Sequence, residues 1–169
     1  MFDEKLQNFL DRNEACDDVI QRLHAIGVET LEQAWNKSSD EDLIWVVTRD
    51  GVMNQEQQRL FLVMVLSSIE DKLTDPRSLN VLTKLRANIP ITENDSAQAA
   101  KVAWHTLSFK YSTAWAAYAA SRAACASWAT LDSAKSSWDS AKGASWVISC
   151  AAQAKWVREN FKLCDLRTN

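Results

Sequence analysis

Trp115-Ala116-Ala117-Tyr118-Ala119-Ala120 lies inside a stretch, Ser96 to Trp156, that is dominated by Ala and Ser, carries regularly placed Trp, and contains one glycine and no proline. Alanine is the best helix former, and glycine and proline are the residues that break helices. The stretch therefore predicts two long helices, or three shorter ones. Their Ala and Ser faces let backbones approach more closely than Leu faces do, while indole rings fill the wider gaps at the edges. Trp104 and Trp115 are eleven residues apart, about three helical turns, so they are expected to share a face that Tyr111 and Tyr118 extend. Trp128 with Trp146, and Trp138 with Trp156, are eighteen apart, five turns of one continuous helix. A turn at Thr130-Leu131-Asp132, with Asp132 or Ser133 as cap, would leave only the second pair aligned.

Outward from that stretch the punctuation is equally helical. The whole chain has three glycines and two prolines, too few for a sheet with many tight hairpins. Thr30 with Gln33, Ser39 with Asp42, Asn54 with Gln57, and Thr92 with Asp95 each place a side-chain oxygen three residues before a polar partner, the spacing that satisfies free amides in a first turn. Asp75-Pro76 is a cap followed by proline at the first helical position. Gly27 and Gly51 fall where helices should stop. The outline is a helix over about Phe2–Ala25, then Leu31–Asn36, Asp40–Arg49, Gln55–Leu73 and Pro76–Ala87, with Asn88–Pro90 as a break. Leu6, Phe9, Leu10, Cys16, Val19, Ile20 and Leu23 form the apolar stripe of the first helix, and Leu60–Leu66, apolar nearly all round, is expected to be the central buried helix. The fold class is all-α: a helical bundle whose N-terminal set of short helices, residues 1–90, packs as one unit with an Ala/Ser/Trp-rich hairpin of long helices, residues 91–169.

Net charge is −3, but its distribution is uneven. Residues 1–42 hold eleven acidic and four basic side chains, residues 43–95 seven and six, and residues 96–169 four and nine. Such a split is either a steering field for a partner or an attraction between two halves of one protein. The start, Met1-Phe2-Asp3-Glu4-Lys5, lacks the basic and apolar runs of a secretory signal, which predicts a cytoplasmic protein. Cys16, Cys125, Cys150 and Cys164 show no CxxC spacing and read as small packing residues rather than disulfides. The longest apolar run, Leu60–Leu66, is far short of the roughly 20 residues that span a bilayer, so no membrane role is expected.

No phosphate-cradling glycine loop and no glycine-flanked serine is present, which removes the usual signatures of nucleotide hydrolysis and of hydrolases. His24 and His105 are far apart and belong to no HxxxH or HExxH pattern, so no metal, cofactor or catalytic set is expected, and the chain reads as a non-enzyme. Nucleic acid is disfavoured as a partner, because the pI is about 5.4 and the Lys and Arg are dispersed. Asp17, Asp18, Asp40, Glu41 and Asp42 stand out as candidate partner-binding residues. All five also sit where a helix should begin or present a solvated face, positions that acid favours for its own sake.

Three blocks carry a resemblance: Ala15-Cys16-Asp17, Thr30-Leu31-Glu32-Gln33-Ala34-Trp35, and Asp42-Leu43-Ile44-Trp45-Val46-Val47-Thr48-Arg49. They resemble the opening of immunity proteins found beside bacterial polymorphic toxins, some of them phage-borne, and Trp115–Ala120 and Trp156-Val157-Arg158-Glu159-Asn160-Phe161 are similar to the Ala, Tyr and Trp-rich tail of that family. Where the family carries Gly-Asp before the Leu-Ile-Trp element, this chain has Ser39-Asp40-Glu41-Asp42. The resemblance implies a small inhibitor that occludes a protein target, such as a toxin or a defence nuclease, and it brings no catalytic residues. Acidic N-terminal helices suit a basic target. The alternative is a structural or regulatory module, a homo-oligomer built through the Ala and Trp helices.

Overall fold

Five of the expected helix starts are built as the side chains dictate. In this computed structural model, which describes residues 1–49, 52–104, 113–125, 131–144 and 149–163, Thr30 and Ser39 accept from the amides of Gln33 and Asp42. Asn54 and Gln57 form a reciprocal capping box, as do Thr92 and Asp95. Asp75 caps a helix with Pro76 at its first position. The described residues form ten α-helices and one 3-10 turn, with no strand. In order they are α1 (Glu4–Arg12), α2 (Asp17–Ala25), α3 (Leu31–Lys37), α4 (Asp40–Val47), α5 (Gln55–Ser67), α6 (Pro76–Arg86), α7 (Glu93–Trp104), α8 (Thr113–Cys125), α9 (Leu131–Ala144) and α10 (Cys150–Asn160), with the 3-10 turn at Glu70–Lys72.

The first expected helix is in fact two. It stops at Asn13, and Glu14 takes a left-handed backbone with φ 51. Glu14 N–H donates to Asp11 O at 3.2 Å and Ala15 N–H to Leu10 O at 3.0 Å, the paired bonds that close a helix C-terminus. The same pair recurs after α2, with left-handed Gly27, and after α6, with left-handed Asn88. Gly and Asn tolerate this conformation, whereas a glutamate is strained in it. Glu14→Gly should therefore raise stability by roughly 0.5–1 kcal/mol, the relief of left-handed strain less the extra freedom of an unfolded glycine. Thermal melting checks this, and a lowered melting temperature would refute it.

The core also differs from expectation. Phe61, Leu62, Val65 and Leu66 of α5 are fully buried, but Leu60 is exposed. The most enclosed helix is α8, where Ala114, Ala116, Ala117, Ala119, Ala120, Ser121 and Ala123 are buried and only Arg122 is exposed. It packs most extensively on α9, then on α7, and touches α5 and α6 as well. Small side chains are what allow one helix to have so many close neighbours. Ser140 of α9 donates to the carbonyl of Ala116 at 3.0 Å, and Gln58 of α5 donates to Ser137 at 2.9 Å, so the polar groups in this alanine layer bond across helices.

Among the described residues four helices stand where two or three were expected. Trp138 and Trp156 fall on different helices, α9 and α10, because Ser149 takes an extended conformation and caps a new helix. Both indoles are half-buried against the core. Asp132 and Ser133 stand inside α9, which already runs from Leu131. The readings of Tyr111, Trp128, Trp146 and Gly51 fall outside the described residues.

At the α6–α7 corner, Asp95 is buried and accepts from Lys84 Nζ at 2.7 and 2.8 Å, from Thr92 and from Asn80. The Lys84 ammonium, followed by the Thr92 donors, lowers the Asp95 carboxyl to about 2 against its ordinary 3.8. A lowered folded value means that the stabilisation is complete above the unfolded value of about 3.9 and is lost as pH falls through about 2. Asp95→Asn should cost about 1.5–3 kcal/mol near neutral pH. The gap between wild type and variant in urea titrations should close between about pH 4 and pH 2. A gap unchanged across that window would contradict the assignment.

Candidate binding surface

The acidic residues singled out in the sequence divide into two groups. Ser39 caps α4, so Asp40, Glu41 and Asp42 occupy its first turn, where negative charge offsets the positive end of the helix dipole. Each has a cation of its own within the chain. Asp40 meets Arg158 of α10 at 2.8 Å, and Glu41 meets Lys142 of α9 at 2.8 Å. Asp42, buried, takes Arg22 of α2 at 2.6 Å and 3.3 Å and also accepts from the Ser39 hydroxyl at 2.7 Å. The Asp42 hydrogen bond and charge raise the Arg22 guanidinium further above its ordinary value. Two of the three pairs join the acidic N-terminal segment to the basic C-terminal one, so part of the charge split is attraction within one molecule.

Asp17 and Asp18 are placed differently. They lie exposed in the first turn of α2, and neither forms an ion pair among the described residues, although Asp18 adds to the field on Arg22 four residues on. Asp11, near the end of α1, and Glu14, on the turn leading into α2, are exposed too. This end of the molecule keeps an acidic surface after the first turn of α4 has been neutralised internally.

The block from Thr30 to Arg49 supplies packing. Trp45 meets Phe9 edge-on, with ring centroids 6.4 Å apart, and the Arg49 guanidinium lies 4.8 Å above the Trp45 ring while its Nε donates to the Trp45 carbonyl at 3.0 Å. Burial lowers the Arg49 value. Trp35 and Trp45 are half-buried against the core. The Trp45–Phe9 contact joins α4 to α1.

A groove of about 610 Å³ runs between the start of α5 and the α6–α7 corner, past Leu62, Leu85, Ile89 and Ile91. Among the described residues that line it, the two ionisable side chains, Glu56 and Arg59, are paired with each other at 2.6 Å. Among the described residues no three His, Cys, Asp or Glu side chains converge as a metal site. His24 is exposed and stacks on Phe2 at 4.1 Å, and Cys16 is exposed at the start of α2 rather than packed. Cys125 and Cys150 are half-buried, and burial is the main cause that raises both thiols. His105 and Cys164 lie outside the described residues. No described helix is long and apolar enough to cross a membrane.

No family model, curated protein or solved structure matches the chain. The site must therefore be read from its own residues. The counter-charges Arg22, Lys142 and Arg158 were not legible in the sequence, because they lie 20, 101 and 118 residues from their carboxylates.

Proposed function

We propose that this chain is a non-catalytic helical binding protein that neutralises a basic protein target, in the manner of an immunity protein or a phage-encoded inhibitor of a defence nuclease. The observation that carries the reading is the exposed acidic end around α2, where Asp17 and Asp18 project without an ion pair among the described residues. The proposal narrows the contact to Asp17 and Asp18, because Asp40, Glu41 and Asp42 are engaged inside the chain. The resemblance of the Ala15–Asp17 and Thr30–Arg49 blocks to toxin-neutralising proteins supports the same reading. Occlusion needs only a rigid, charge-complementary surface, and charge complementarity acts mainly on the rate of encounter and on the exclusion of wrong partners.

The test is kinetic. With a partner purified from the native host, Asp17→Lys combined with Asp18→Lys should slow association by about tenfold at low salt, and the deficit should shrink as salt rises. Both residues also lie in the first turn of α2, where each reversal should cost about 0.3–1 kcal/mol, so the rates are compared at a temperature at which both forms stay folded. An association rate equal to wild type at low salt would remove the acidic end of α2 from the interface.

A further inference from the structure

α10 is held differently from the other helices of the C-terminal half. Its extensive packing neighbour among the described helices is α4, and its buried residues are few: Gln153, Ala154 and Val157, with Phe161 just beyond its end. α8, by contrast, packs closely on four neighbours. An ion pair also spans the seam between α10 and α4. Arg158 reaches Asp40 at 2.8 Å and the Ser38 carbonyl at 3.4 Å, and both charged side chains are more than a third open to water, so dissolved salt reaches them.

The packing of α10 carries an internal conflict. Three buried side-chain atoms among the described residues have no hydrogen-bond partner, and two of them bear on α10: Oε1 of its Gln153, whose amide nitrogen bonds α9, and Oγ of Ser38, the residue next to the start of α4 whose carbonyl accepts from Arg158. Gln153 is fully buried, and its amide nitrogen donates to the Ala141 carbonyl of α9 at 3.1 Å while its oxygen is left unmatched. A buried polar atom without a partner disfavours the closed state, and opening returns it to water.

We infer that α10 is a releasable strap, fastened to the first turn of α4 by an ion pair that salt weakens, and that it opens as a unit while the rest of the fold stays closed. Few buried contacts, a solvent-reached ion pair and unmatched polar atoms are the features that lower a local opening energy below that of global unfolding. Opening uncovers the apolar sides of both helices at once, so the strap controls whether that surface is available. This inference is independent of the binding proposal, because its test needs no partner.

Hydrogen exchange of the full chain, followed by mass spectrometry, separates peptides that cover residues 149–161 from those that cover α5 and α8. The α10 amides should exchange at least about tenfold faster than those of α5 and α8 at low salt, and faster again as salt is raised. Arg158→Gln should reproduce the salt effect at low salt. Lys155→Gln, which among the described residues breaks an exposed pair with Glu159 inside α10, should not. Exchange of α10 as slow as that of α5, or fast exchange that neither salt nor Arg158→Gln alters, would overturn the inference.

Discussion

Ala117→Leu is expected to destabilise the protein by about 1–3 kcal/mol or more, because the added atoms enter a helix contact with no room to give. Ala117 is 0% exposed, and α8 is enclosed by α5, α6, α7 and α9, so neither a rotamer change nor movement toward solvent relieves the overlap. Ala120, equally buried on the same helix, should respond in the same way. Ala124 is half-buried at the edge of the core, and Ala124→Leu should cost much less. Urea titrations of the three variants check the order. A neutral Ala117→Leu would mean that α8 is not the centre of the fold.

Asp42→Lys is expected to have the other large effect. It breaks the ion pair between the buried Asp42 carboxylate and the half-exposed Arg22, places a second cation beside that guanidinium, and puts positive charge at the positive end of α4. Removing one partner of a buried pair typically costs about 3–5 kcal/mol. Arg22 is half-exposed and can turn to water, which places Asp42→Asn well below that range, whereas the reversal still leaves an ammonium at a buried position beside the positive end of α4. Asp40→Lys and Glu41→Lys each break an exposed pair and should cost about 0–1 kcal/mol. Equal losses for all three reversals would contradict the distinction between the buried acid and its two exposed neighbours.

What was legible in the sequence was local. Thr30, Ser39, Asn54, Asp75 and Thr92 announce helix starts because a cap and its amide lie within three residues of each other. The break after α1 was hidden because a glutamate, with no glycine beside it, takes the left-handed position. The central place of α8 was hidden for another reason. Hydropathy weighs bulk, so Phe61 and Leu62 pointed to α5, whereas the burial of Ala116, Ala117 and Ala120 arises from how near the neighbouring helices come. The acids of α4 were visible as candidates, but their partners belong to tertiary structure and carry no local signal. Side-chain type showed where charge was and left open whether it faces inward or outward.

The distinction between inward and outward acid is also where the functional account is exposed to refutation. The most direct measurement is affinity purification from the native host with the full chain and with its Asp17→Lys, Asp18→Lys variant, each followed by mass spectrometry and by an assay of whatever activity the captured protein has. The account predicts one basic protein recovered in stoichiometric amount with wild type, inhibited while bound, and much reduced with the variant. Recovery of nucleic acid, recovery of the chain's own copies alone, or equal capture of an uninhibited protein by both forms would contradict it.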